Sequence, residues 1–142
     1  MHKAYADGAC RPSPGWGAYG FIIYDGKERI VKFGNGSVGR NTTNSVAEYT
    51  AIIKAMEAAL RVGVKRLTVY TDSQAAIRQI TCNHSIYNWE LQRLKLRIDS
   101  IQKKFKEIHF VFIPRFKNRV ADAIAAEFYR TAGSISELKK IC

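Results

Sequence analysis

The 142 residues, 46% hydrophobic and 25% charged, have the size and balance of one globular domain and exclude a disordered or fibrous chain. Apolar runs such as Phe21-Ile22-Ile23-Tyr24 fall far short of the roughly 20 residues a spanning helix needs, and nothing resembles a signal peptide, so the expected location is the cytoplasm. An excess of 23 Lys and Arg over 12 Asp and Glu, formally +11, points to a polyanionic partner, nucleic acid before any other.

In chain order, Lys3 to Asp7 has strand character, and Gly8 is read as its end. Arg11-Pro12-Ser13-Pro14-Gly15 reads as a turn, Trp16 to Tyr24 as a second strand, Asp25-Gly26 as a hairpin signal and Glu28 to Gly36 as a third strand. The period then changes. After Thr42-Thr43-Asn44, apolar residues recur at Val46, Tyr49, Ile53, Met56 and Leu60, a helical stripe closed by Gly63. A fourth strand is expected over Lys65 to Thr71. Asp72-Ser73 then caps a short helix to about Ile80, and a longer helix runs from Tyr87 to Phe105. Trp89 falls in that helical pattern and is expected in the core. Ile108 to Ile113 gives a fifth strand, and Arg119 to about Thr131 the last helix. The order βββαβααβα predicts an α/β fold: a mixed five-stranded sheet, an antiparallel meander continued by parallel crossovers, with helices packed on it. No linker divides it, so one domain over 1–142 is expected, with a core over 1–131 and a tail over 132–142 that is either docked or frayed. Cys10, Cys82 and Cys142 are odd in number and lack metal-like spacing, which fits reduced thiols.

Four acids sit oddly in this pattern. Asp7 lies inside an apolar strand, Glu48 at the edge of a helical stripe, Asp72 where a strand ends and Asp122 in the first turn of a helix. Each alone has an ordinary explanation as a cap, a turn acid or a dipole partner. Together they occupy strand ends and helix starts, where α/β sheets place ligands. Carboxylates gathered there repel one another, and hard divalent cations relieve the conflict. Two such ions would support phosphodiester hydrolysis.

Tyr5-Ala6-Asp7-Gly8-Ala9-Cys10, Thr42-Thr43-Asn44-Ser45-Val46-Ala47-Glu48, Tyr70-Thr71-Asp72-Ser73-Gln74 and Asn118-Arg119-Val120-Ala121-Asp122 follow one another along the chain. In that order they resemble the motifs of type 1 ribonuclease H, over about residues 4 to 129. The resemblance implies the ribonuclease H-like fold and cleavage of the RNA strand of RNA–DNA hybrids, leaving 5′-phosphate and 3′-hydroxyl ends. It implies Asp7, Glu48, Asp72 and Asp122 as catalytic ligands of two Mg²⁺ ions, with Mn²⁺ as a substitute. It also implies substrate contacts at Gly8, Ala9 and Cys10, at Thr43 and Asn44, and at Ser73 and Gln74. Turn formation and helix capping are the structural alternatives for these residues.

Two departures stand out. The histidine that the bacterial branch carries before the last aspartate is absent, since His2, His84 and His109 lie elsewhere. Pro114-Arg115-Phe116-Lys117-Asn118 occupies that loop and resembles an archaeal-type branch. Arg115 there is expected to neutralise the departing phosphate, or else to clamp a surface phosphate. Residues 73–107 are too few for the bacterial basic protrusion, and Lys103, Lys104 and Lys106, or Arg115, Lys117 and Arg119, are candidates to replace its charge. A monomer is expected, and Met1 just before the first strand favours a free-standing enzyme over a reverse transcriptase domain. Its alternatives are a nuclease that also takes double-stranded RNA and a metal-free binding module. The module would have lost an acidic ligand, whereas all four are retained.

Overall fold

The computed structural model describes residues 1–12, 15–82, 86 and 88–131, together with the backbone of 132–141. The expected turn at 13–14, the helix start at Tyr87, His84 and Cys142 lie outside the described residues. In chain order the elements are β1 (His2–Arg11), β2 (Gly15–Tyr24), β3 (Ile30–Thr42), α1 (Asn44–Arg61), β4 (Arg66–Thr71), α2 (Gln74–Thr81), α3 (Trp89–Gln102), β5 (Glu107–Phe112) and α4 (Arg119–Ile141). A short 3₁₀ turn, Arg115–Lys117, precedes α4.

The sheet order is β3-β2-β1-β4-β5. β1, β2 and β3 pair antiparallel, whereas β4 and β5 run parallel to β1, as the crossovers through α1 and α3 require. α1 supplies the centre of the core. Tyr49, Ile52 and Met56 are fully buried between the sheet and α3, packed with Leu67, Val69 and Ile98. Thr43 opens α1 by accepting from the Val46 amide at 3.3 Å, and Gly63, at φ +85, takes the left-handed backbone that follows its end.

Four expectations are corrected. β1 does not stop at Gly8 but runs to Arg11, because residues 8–11 pair with 16–19 of β2. β3 likewise continues past Gly36 to Thr42, held by pairing to Gly15, Gly17 and Ala18 despite its turn-like composition. Trp89 is not in the core: it is 69% exposed, off the buried stripe of Leu91, Leu94, Ile98 and Ile101, with Arg93 lying 5.6 Å from its ring centroid. The backbone of α4 stays helical to Ile141, past the expected end at Thr131, since 132–141 contains no proline and several good helix formers.

Candidate active site

Two glycines place two helices against β1 and β2. A Cβ on Gly8 would lie 2.1 Å from the Ala47 carbonyl oxygen and 2.6 Å from the Glu48 amide. Only a residue without a side chain lets the first turns of α1 close on the strand and bring Glu48 beside it. Gly20 does the same for α4, where a Cβ would stand 2.4 Å from the Ala125 amide nitrogen. Gly20 is the β2 partner of Asp7, so the helix it admits is the one that carries Asp122. Asp72 follows the last residue of β4, which lies beside β1. The strand and helix ends therefore converge on one cleft of about 430 Å³, lined by Asp7, Gly8, Ala9, Cys10, Arg11, Asn44, Glu48, Asp72, Arg115 and Asp122.

Asn118 ties this end together. Its Nδ2 donates to the Ala6 carbonyl at 2.9 Å and to Asp72 Oδ2 at 3.4 Å, and its own carbonyl accepts the Asp122 amide at 3.1 Å. The side chain is 1% exposed, and its Oδ1 is buried with no hydrogen-bond partner among the described residues. The sequence reading gave Asn118 no role of its own, although it opens the motif that ends in Asp122.

The electrostatics follow from this crowding. Burial, then the charge of Asp72, then a hydrogen bond with Asp122 and the charges of Asp122 and Glu48, push Asp7 up to about 8. Burial and Asp72 raise Glu48, against a hydrogen bond from Ser73 that lowers it. Asp72 is also raised by burial, while Asn118 and the Arg115 guanidinium pull the other way.

Of the expected substrate contacts, Ala9, Cys10 and Asn44 line the cleft. Asn44 Oδ1 accepts from the Cys10 amide at 2.8 Å, which fixes the start of α1 to β1. Gly8 also lines the cleft, but its missing side chain makes room for α1. Thr43, Ser73 and Gln74 are not among the lining residues. Thr43 caps α1, and Ser73 is buried, caps α2 by accepting from the Ala76 amide at 3.2 Å, and steadies Glu48. Gln74 is exposed in the first turn of α2. Arg11 lines the cleft and was not anticipated. Among the described residues, no histidine does.

The donor set fits a divalent cation. Every candidate ligand is a carboxylate, the choice of hard cations, and Asp7, Glu48 and Asp72 are raised by burial first and then by neighbouring carboxylates, a cost that a cation would relieve. Among the described residues no three acidic, His or Cys groups close into a finished cage. An open carboxylate cleft suits Mg²⁺, which keeps waters and shares its shell with substrate phosphates.

Residues 5–128 match the family described as reverse transcriptase-like. The chain belongs to this family, in its ribonuclease H branch. It is 36% identical over 124 residues to ribonuclease HI of Halobacterium salinarum, covering 87% of this chain and 62% of that protein. The crystal structure of RNase H1 from that archaeon matches with a TM-score of 0.87 at 35% identity, over 92% of this chain and 98% of that one. A ribonuclease H of Alkalilimnicola ehrlichii is 33% identical over 141 residues, covering 86% of this chain and 90% of that protein. LC11-RNase H1, solved in complex with an RNA/DNA hybrid, matches with a TM-score of 0.87 at 31% identity, over 93% of this chain and 99% of that one. The chain spans less than two thirds of the Halobacterium protein and about a third of Mycobacterium tuberculosis Rv2228c, a bifunctional protein. No helix among the described residues is long and apolar enough to cross a membrane.

Proposed function

We propose that this chain hydrolyses the RNA strand of an RNA–DNA hybrid at the carboxylate cleft. The observation that carries the reading is the convergence of Asp7, Glu48, Asp72 and Asp122 on one cleft, with Asp7 pushed up to about 8. These four side chains would hold two Mg²⁺ ions, or Mn²⁺ in their place. When bound, such ions lower the pKa of water and neutralise charge on the reacting phosphate.

The chain's own residues do the rest. Asn118 holds the Asp72 carboxylate against β1, and Ser73 steadies Glu48, so the ligands keep their spacing as substrate enters. Arg115, exposed at the rim beside Asp72, neutralises the departing phosphate; its guanidinium stays protonated and takes no proton. Arg11 adds a second cation at the mouth. Thr43, Ser73 and Gln74 hold the flanking helix starts, with Thr43 and Gln74 exposed for contact with the substrate backbone. Products carry a 5′-phosphate and a 3′-hydroxyl. Residues 1–142 act as one ribonuclease H domain, in the cytoplasm and as a monomer.

Cleavage of end-labelled hybrid and of double-stranded RNA, each with Mg²⁺, Mn²⁺ or chelator, tests this. Metal-dependent loss of the RNA strand from hybrid is expected. Chelator-resistant cleavage, or none on hybrid with either metal, would contradict it.

A further inference from the structure

The sheet face that bears Asp7 is only partly covered. α4 packs over β1, β2 and β3. Tyr5 precedes Asp7 by two residues, so it shares that face and lies roughly 7 Å further along the strand. Its ring stacks on Tyr70 at 4.8 Å and meets Tyr24 edge-on at 5.8 Å. Beside these rings lies a hollow of about 420 Å³, with Tyr5 and Tyr24 on the strand side and Phe116, Lys117 and Arg119 on the side of the 3₁₀ turn and the α4 start. Phe116 is 62% exposed and Val120 50%, a concentration of solvent-facing apolar surface that no partner among the described residues explains.

This hollow is linked to the carboxylate cleft through shared lining residues. A third depression of about 470 Å³ lies between them, lined by Arg115, Phe116, Arg119 and Asp122. It shares Arg115 and Asp122 with the cleft, and Phe116 and Arg119 with the aromatic hollow. The path is basic at the cleft side and aromatic at its far end. Glu28, the acid on the hollow's wall, is neutralised by Lys3 at 2.9 Å.

We infer that the hollow docks unpaired RNA running on from the cleaved strand beyond the hybrid. Lys117 and Arg119 take its phosphates, and its bases lie against Phe116, Tyr5 and Tyr24. Aromatic side chains beside a cationic track bind single strands in this way, because every base offers a stacking face. The inference rests on the ribonuclease reading, since it is the strand at the carboxylates that this path continues. It adds a second contact outside the duplex, favouring hybrids that end in a single-stranded RNA tail.

The test compares binding, in EDTA so that no turnover occurs, of a blunt hybrid with the same hybrid carrying about six unpaired ribonucleotides at one RNA end or the other. An arm with the unpaired stretch on the DNA strand is run beside it. A tail at one RNA end is expected to tighten binding about five- to tenfold, the low end for one stacked base, and the DNA tail less than about twofold. Phe116→Ala and Tyr24→Leu should each remove most of the gain and leave blunt-hybrid affinity alone, with unchanged melting temperatures as the folding control. Equal affinity for blunt and RNA-tailed hybrids overturns the inference, as does a gain confined to the DNA tail. So does concentration-dependent self-association that Phe116→Ala abolishes, which would assign the face to a second copy. Failure of the ribonuclease reading shows separately, as no cleavage of blunt hybrid by the unmodified protein with Mg²⁺.

Discussion

The two ends of helix α1 face opposite demands. Its middle and C-terminal half lie in an apolar interior where Ile52 and Met56 are fully buried against the sheet and Ile98. Its first turns press on Gly8 and hold Glu48 beside Asp7 and Asp72, where burial raises each of these three carboxylates. One region gains stability from burial. The other has charge forced into a half-buried cleft, a cost that the proposed cation and phosphate would offset. Substitutions should therefore separate the two, with losses of stability at one end and losses of activity at the other.

The largest expected effect is on chemistry. Asp7→Asn or Asp72→Asn should lower cleavage by about a thousandfold or more, on the order of 4 kcal/mol, while leaving hybrid binding within a few fold. Single-turnover rates beside equilibrium binding check this, and a near-normal rate in either variant breaks the assignment. At the other end, Ile52→Ala should cost about 2–5 kcal/mol of stability through lost burial and the cavity left behind. Urea denaturation measures it. The folded fraction of that variant should keep the same metal dependence of cleavage, and a changed one would mean the two ends are coupled.

Next in size is Arg115→Ala. Losing one charge-assisted contact to the departing phosphate should cost about 2–3 kcal/mol, or roughly 30- to 150-fold in kcat, with little change in substrate affinity. Arg115→Lys should recover part of it, since an ammonium lacks the guanidinium fork. A rise in KM with kcat unchanged would make Arg115 an ordinary phosphate clamp. The smallest effect belongs to the cap that opens the site end of α1. Thr43→Ala removes the cap of α1 and should cost about 1 kcal/mol by thermal melt.

Much of this contrast was legible in the residues because it is local. The α1 stripe, its Thr43 cap and the Gly63 stop are short-range signals, and they placed the helix correctly. The four acids stood out for a related reason: an aspartate in an apolar strand or beside helix alanines violates a local preference. What could not be read depends on distant partners. Gly8 looks like a strand terminator until β2 is known to pair with it and α1 to lie on it. The second half of β3 looks like loop until its ladder to β2 is seen. Asn118 reaches Ala6 and Asp72 only after the chain has crossed the sheet. Trp89 shows the converse error, since a large aromatic in a helix suggests a core, yet the buried stripe runs elsewhere.

The central claim is that the four carboxylates form one cation site whose repulsion is built into the fold. In the metal-stripped protein, folding holds the Asp7 proton up to about 8, whereas the unfolded chain releases it near 3.8. Between those values the folded state binds more protons, so stability must fall as pH rises through that window. Mg²⁺ competes with that proton and should bind more tightly over the same rise. The direct measurement is the melting temperature with and without Mg²⁺ from pH 5 to 9, on the unmodified chain and on Asp7→Asn. The Mg²⁺-induced increase should grow with pH and level off above about 8, and in Asp7→Asn the metal-stripped protein should melt higher at pH 8 and gain little from Mg²⁺. An increase that is the same at every pH, or one that survives Asp7→Asn intact, would contradict the claim.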